Sequence, residues 1–212
     1  MLCAVRGRPR KDEEEKRREQ LLEQAVRLFG EHGFGNLSLE TIAREARVSL
    51  RTIYSQFGGK AGLFSAAVRR YSDFFVAALP VDRVGDTPFN EILVEFAREY
   101  LFQLTRPELI RLRGQFLAEA HRFPELACEF YSQGPERTLN HLAGFFEGQQ
   151  LAGRLGAGDP LFLAGQFVSA LRGERFQRLQ FGLDASPSAD EVAVWARQAV
   201  DLFLQGCLHP LA

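Results

Sequence analysis

From Leu21 to near the end of the chain, apolar side chains recur at intervals of three and four residues. No segment alternates apolar and polar residues with the two-residue period of a half-buried strand. This regularity predicts helices throughout and no sheet. The 212 residues exceed one average domain and fall short of two, so one large helical core with a small appended module is expected. With 46% apolar and 25% charged residues the composition is that of a globular protein, which excludes disordered and collagen-like classes. No apolar run approaches the roughly 18 residues of a membrane span. The opening MLCAVRGRPRKDEEEKRREQ carries no apolar run behind its basic residues, so neither signal peptide nor membrane anchor is read there. A cytoplasmic location without a membrane partner is expected.

The punctuation of the pattern gives the elements. Residues 12–30 set Leu21, Leu22, Ala25, Val26, Leu28 and Phe29 at helical spacing, up to Gly33. Short helices are predicted over 39–46, capped by Ser38, and over 49–56, capped by Ser49. Gly58 and Gly59 break the chain, and a longer fourth helix runs from Lys60 to about Leu79, ending before PVDRVGDTP. Helical segments then follow at 89–105, 107–131, 135–152, 160–181 and 188–207, parted by turn clusters at Ser132–Pro135, Gly153–Pro160 and Gly182–Ser188.

The stretch LETIAREARVSLRTIYSQF has the residue types of a helix-turn-helix in the required order. Ile42 and Val48 seal the first helix and the turn, Ala43 lets two helices cross closely, and Ile53 anchors the second helix from beneath. The same periodicity turns Leu50, Arg51, Thr52, Ser55 and Gln56 outward, where they can enter a major groove. A generic helical hairpin fits the same apolar pattern.

The run KRREQLLEQAVRLFGEHGFGNLSLETIAREARVSLRTIYSQFGGKAGLF, residues 16–64, closely resembles the N-terminal domain of the TetR/AcrR transcriptional regulators. Its LF..G hairpin, IA..A.VS turn, T-I-Y-x-x-F helix and helix-opening Lys60 carry the resemblance. RGQFLAEAHRFPELACEFYSQGPERTL and LRGERFQRLQFG, within residues 107–183, resemble the AefR-like C-terminal domain of one branch of that family.

The resemblance implies an all-α fold, in which an N-terminal three-helix helix-turn-helix domain is joined by a long helix to a larger helical ligand-binding and dimerisation domain. Residues 1–11 would form a flexible basic arm, 12–60 the DNA-binding domain and 61–212 the effector-binding and dimerisation domain. The implied function is that of a transcriptional regulator, a repressor by preference. It would bind a palindromic operator in double-stranded DNA as a homodimer and leave it when a small, largely apolar effector binds. An architectural or nucleoid-type DNA-binding protein without an effector is the alternative.

By match to the motif, Thr52, Tyr54 and Lys60 would hold phosphates, and Leu50 with Arg51 would face bases. Hydroxyls, an ammonium and a helix start suit phosphate oxygens, and an arginine can grip guanine bidentately. Ser38 and Ser49 complete the candidate set on these helices. Where the family has Gly in the turn, this chain has Arg47. Either that turn relaxes, or Arg47 offsets its strain by reaching a phosphate, or it is a solvated surface arginine. Upstream, RGRPRK resembles an AT-hook core, in which Arg6 and Arg8 would enter a narrow A·T-rich minor groove. A plain basic tail fits the same residues. Residues 1–60 hold 12 Lys/Arg against 9 Asp/Glu, and the remainder 14 against 18, so basic charge is concentrated at the N-terminal end.

In the larger domain, Arg113 interrupts the apolar face of Leu109, Leu112, Phe116 and Ala120. It needs either a carboxylate such as Glu95 or Glu99 or a polar ligand group. Tyr100 and Gln166 interrupt apolar faces in the same way. With Tyr71, Phe74, Phe75, Phe96 and Phe116 they make the candidate lining of a mainly apolar pocket. The last two helices have more apolar surface than one core covers. Phe162, Phe167, Trp195, Ala199, Leu202 and Phe203 are the candidate dimer face, forming a four-helix bundle with a second copy. Arg172, Arg175 and Arg178, three residues apart, read as a solvated rim. Cys128 and Cys207 read as packing residues, and His121 and His141 as capping or core residues. The four histidines have no metal-ligand spacing and no nucleotide or hydrolase motif is present, so no enzyme, metal or cofactor is expected.

Overall fold

The computed structural model describes residues 11–79 and 87–208, without the side chains of 11, 12, 207 and 208. Arg6 and Arg8, the linker at 80–86 and the packing role of Cys207 therefore fall outside the described residues. Within them the chain is all helix: α1 Lys11–Asn36, α2 Leu39–Glu45, α3 Leu50–Phe57, α4 Lys60–Ala77, α5 Phe89–Leu104, α6 Pro107–Glu119, α7 Pro124–Tyr131, a π-helical segment Ser132–Glu136, α8 Arg137–Leu151, α9 Pro160–Gln180 and α10 Ala189–Leu208.

The helix starts follow from local chemistry. Ser38 accepts the Thr41 amide at 3.1 Å, Ser49 the Thr52 amide at 3.0 Å and Asp159 the Leu161 amide at 3.0 Å. Pro107, Pro124 and Pro160 each open a helix, where the missing N–H is of no consequence.

The turn between α2 and α3 is a Schellman closure, in which the Val48 amide reaches the Ala43 carbonyl at 2.9 Å and the Arg47 amide the Arg44 carbonyl at 3.2 Å. That closure requires a left-handed residue at position 47, and Arg47 adopts φ 55°. The turn has not relaxed around the missing glycine. Past α3 the chain doubles back so tightly that a Cβ on Gly62 would lie 1.8 Å from the Phe57 carbonyl oxygen. Only glycine fits there.

Two departures from the sequence pattern occur in the middle of the chain. The segment expected as one helix over 107–131 is broken after Glu119, and Pro124 starts α7. The turn expected at Ser132–Pro135 is instead a π-helical stretch that runs from α7 into α8. Pro135 has no amide to donate, and the wider π turn accommodates the gap without ending the helix. It is held from outside, since the buried Ser72 hydroxyl donates to the Gln133 carbonyl at 2.8 Å and accepts from Arg137 at 2.6 Å.

The buried apolar side chains form two cores. The first gathers α1 to α4 as far as Tyr71, together with Leu112, Phe116 and Leu126 from α6 and α7. The second joins Phe75 and Leu79 to α5, α8, α9 and α10. Packing therefore divides within α4, between Tyr71 and Phe75, whereas the sequence suggested a division at residue 60. Helix α6 crosses that division and lies along α1. Cys128, expected in packing, is exposed because α7 buries only Leu126 fully. His141 donates to the Leu79 carbonyl at 3.1 Å, while His121 is exposed.

A left-handed arginine costs about 1–2 kcal/mol, and glycine's extra freedom in the unfolded chain returns up to about 1 kcal/mol of that. Arg47→Gly is therefore expected to raise stability by about 0.5–1 kcal/mol in urea unfolding. A fall in the midpoint would mean that the arginine makes a compensating contact.

Candidate nucleic-acid interface and ligand cavity

Helix α3 is amphipathic over its whole length. Ile53 is fully buried, with Leu50 and Phe57 partly buried against the same core. Arg51, Tyr54, Ser55 and Gln56 are exposed, and Tyr54 at 57% does not cover the core. Leu50, expected to face bases, is turned partly inward as the first residue of the helix. Ser49 and Thr52 share a hydrogen bond of 2.8 Å, and Ser55 donates to the Thr52 carbonyl at 3.1 Å, which leaves the Arg51, Tyr54 and Gln56 ends uncommitted within α3.

An open groove of about 890 Å³ runs between α1 and the α2–α3 turn, and Arg17, Arg18, Arg47, Ser49, Thr52 and Gln56 line it together with Glu14 and Glu15. Sequence reasoning overlooked Arg17 and Arg18. Their signal was the KRR run at 16–18, which the folding of α1 against the turn brings beside Arg47.

Lys60 departs from its expected role. Its ammonium donates to the Phe34 carbonyl at 2.6 Å and the Leu37 carbonyl at 2.8 Å, and lies 4.4 Å from the centre of the Phe34 ring. Two of its three donors are thus spent inside the protein. Burial lowers its pKa, and the negative charge of Glu119 works against that shift. Glu119, itself buried at the end of α6, accepts the Phe34 amide at 2.7 Å and the Gly35 amide at 3.1 Å. Gly33 turns the chain out of helical geometry with φ 76°, and a Cβ there would lie 2.9 Å from the Glu119 carboxylate.

The second site is a cavity of about 260 Å³ at the seam of the two cores. Tyr71, Phe75, Tyr100 and Arg113 line it as expected, and Val68, Ser72, Phe130, Val168, Ser169 and Arg172 join them. Four candidates do not. Phe96 is buried in the second core behind Tyr100, their rings 5.8 Å apart. Phe116 belongs to the first core and stacks at 4.1 Å on Phe130. Phe74 faces outward under the Arg70 guanidinium at 5.4 Å, and Gln166 is exposed on α9.

Among the described residues Arg113 has no carboxylate partner: Glu95 pairs with Arg98 at 2.6 Å and Glu99 accepts from Gln103 at 2.7 Å. Its Nε is buried without a hydrogen bond. Burial first, and the charge of Arg172 second, hold its pKa below the usual arginine value. Arg172 is no rim residue, for its Nε donates to the Tyr100 hydroxyl at 2.9 Å. The three-residue spacing misled because Gly173 is non-helical, with φ 43°, so Arg172 does not share a face with Arg175 and Arg178. Those two do lie at the surface, paired with Glu191 at 3.2 Å and Asp184 at 2.8 Å.

Of the candidate dimer residues, Phe162 is 61% and Leu202 71% exposed, and Ala199 and Phe203 are half-buried. Phe167 and Trp195 are buried in the chain's own core, Phe167 against Phe203 at 4.8 Å. On helices apolar nearly all round, periodicity does not tell the inner face from the outer. Leu161 and Val194 are exposed in their place.

Among the described residues no helix is long and apolar enough to cross a membrane, and no three His, Cys, Asp or Glu side chains gather as a metal site.

The chain is similar to known proteins over both halves. Residues 21–67 match the family described as bacterial regulatory proteins, tetR family, and residues 91–206 match the AefR-like transcriptional repressor C-terminal domain. The HTH-type transcriptional repressor ComR of Escherichia coli is 36% identical over 72 residues, 34% of this chain and 32% of that protein. The matched stretch thus spans about a third of that relative's length. A TetR-family regulator structure from Mesorhizobium loti superposes with a TM-score of 0.74 at 25% identity, covering 91% of this chain and 96% of that one. The flavonoid-responsive regulator FrrA superposes with a TM-score of 0.69 at 31% identity, covering 93% and 100%.

The Lys60 geometry generates its own test. Lys60→Ala strands two carbonyls and is expected to cost about 1–3 kcal/mol of stability in urea unfolding without DNA. An unchanged midpoint would return the side chain to a pure phosphate role.

Proposed function

The chain belongs to the TetR family of bacterial transcriptional regulators, with an AefR-like C-terminal domain, and from that premise we propose that it binds a palindromic operator as a homodimer and releases it on binding a small effector. One observation carries the DNA-reading part: α3 is fixed from beneath by fully buried Ile53 while Arg51, Tyr54 and Gln56 stand exposed on its other side. In this reading Arg51 faces base edges, and Thr52, Tyr54, Arg47, Arg17 and Arg18 meet phosphates. Lys60 and Glu119 hold the frame from which α3 projects.

The dimer reading is supported by the exposed apolar side chains Leu161 and Phe162 on α9 and Val194 and Leu202 on α10. Exposed side chains of that kind favour burial against a second copy, and two-fold symmetry then dictates two half-sites. The effector reading is supported by the cavity, whose volume of about 260 Å³ falls just short of the about 300–1,000 Å³ of ligand pockets and suits a small ligand. FrrA is flavonoid-responsive by name, and for this chain an aromatic body suits the Phe75, Tyr71 and Phe130 walls.

Coupling has two physical routes. Helix α4 carries Lys60 at one end and cavity-lining Tyr71 and Phe75 about 16–22 Å along its axis. Phe130 lines the cavity and stacks on Phe116, which stacks on Phe64 at 5.7 Å in the DNA-binding core. A ligand that prefers one arrangement of these rings shifts the whole molecule toward it, and operator binding must weaken ligand binding by the same factor.

Footprinting with selected DNA is expected to protect two half-sites about one helical turn apart. Arg51→Ala should relax preference at one base position per half-site at a cost of about 1–3 kcal/mol; uniform loss over all operator variants would remove base readout from Arg51. Leu202→Glu should give a monomer in sedimentation and lose the operator. If that variant stays dimeric, α10 is not the interface.

A further inference from the structure

We infer that the cavity is built for an organic anion: an aromatic or compact apolar body bearing one carboxylate, gripped by Arg113, Arg172 and the Tyr100 hydroxyl. This rests on the effector reading above and adds the charge of the ligand to it.

The cavity lining contains two arginines and no aspartate or glutamate. Arg113 enters from α6 and Arg172 from α9, and each is close enough for its charge to be felt by the other, since Arg172 works against the charged form of Arg113. A guanidinium withdrawn from water normally takes a carboxylate partner, and Arg113 and Arg172, both half-buried on the wall of one cavity, have none among the described residues. The carboxylates in reach by sequence are committed elsewhere, Glu95 to Arg98, Glu99 to Gln103 and Glu108 to Arg106. The Arg113 Nε is buried and unbonded, and the only hydrogen bond of Arg172 among the described residues goes to Tyr100, a neutral group. Because Tyr100 accepts from Arg172, its own proton is free to be donated into the cavity.

Everything lacking here is supplied by a carboxylate. It neutralises one excess positive charge, takes two parallel N–H donors from a guanidinium fork and accepts the tyrosine hydroxyl. The other walls, Val68, Phe75, Leu109, Leu112, Phe130 and Val168, are apolar and suit the body of the molecule. Ser72 and Thr138 also line the cavity, but their hydroxyls donate to the carbonyls of Gln133 and Gly134; Ser169, Tyr71 and Tyr131 add neutral hydroxyls, and the arginines are the charged groups of the lining. The same α6 ends at Glu119, so a ligand that draws Arg113 pulls on the helix that holds the end of α1.

The test is calorimetry on the full chain with naphthoate and biphenyl carboxylate, each against its own carboxamide, which has the same shape without the charge. The carboxylates are expected to bind about ten- to a hundredfold more tightly than their amides. Arg113→Met and Arg172→Met should each erase most of that preference, and Arg113→Met should raise the melting temperature of the ligand-free protein by removing a half-buried charge whose Nε has no hydrogen-bond partner.

Equal binding of acid and amide overturns the inference, as do failure of both carboxylates to bind and an undiminished preference in the double variant. Operator binding is measured in parallel. Carboxylates that bind selectively without changing operator affinity uphold the anion site and remove the effector reading. Amides that bind equally and release the operator do the reverse.

Discussion

Near the end of α1, Gly33 takes the backbone out of helical geometry, and the arrangement of the two halves depends on which side chains meet the peptide groups just beyond it. Phe34 and Gly35 give their amides to Glu119, and Phe34 and Leu37 give their carbonyls to Lys60. The cation belongs to the first turn of α4 and the anion to the end of α6, so each charge meets the matching pole of one short peptide segment. A buried amide or carbonyl without a partner costs about 1–3 kcal/mol, so these four bonds fix α4 and α6 against α1 with little latitude. The Phe34 ring, 4.4 Å from the Lys60 ammonium and 5.6 Å from Phe64, ties the same point to the first core.

That junction gives α6 its importance. About 9 Å along its axis from Glu119, Arg113 faces the cavity, and between them Phe116 stacks into the DNA-binding core. A single helix therefore touches the cavity, the aromatic core that includes Ile53 of α3 and the end of α1. The cavity lies where the two cores meet, a place where packing is shared between units rather than closed within one. A void at such a seam could be filled without dismantling either core, and under the proposed effector reading its filling would be transmitted because close-packed interiors shift between discrete arrangements instead of yielding gradually.

Much of the fold was legible in the sequence. The serine caps at 38 and 49, the glycine pair at 58 and 59 and the starts of α6 at Pro107 and α9 at Pro160 are signals whose effect is completed within a turn of where they stand, whereas Pro124 was passed over inside a run that reads as one helix. Amphipathic α3 announced Arg51, Ser55 and Gln56 as outward for the same reason, but not Leu50, which is turned partly inward. The errors fell where periodicity loses contrast or continuity. Phe167 and Trp195 sit on helices apolar on most sides, so the inner face was indistinguishable from the outer. Arg172 was grouped with Arg175 and Arg178 by a count that Gly173 interrupts. Ser132–Pro135 read as a turn because proline and glycine usually end helices, and a π-helical stretch braced by Ser72 and Arg137 accommodated them instead.

By itself the sequence determined the helical class, the helix-turn-helix and the resemblance of both halves to a family, since these depend on interactions between residues a few positions apart, while the left-handed conformation of Arg47 was settled by the structure. Which partner a charged side chain takes was decided only by the tertiary structure. Lys60 belongs to the backbone of α1, Glu119 answers it from α6, and Arg113 and Arg172 converge on one cavity from distant helices. The choice between water, a carboxylate, a carbonyl or a ligand is set by what the fold brings within about 3 Å of the charge, and local spacing carries no record of that.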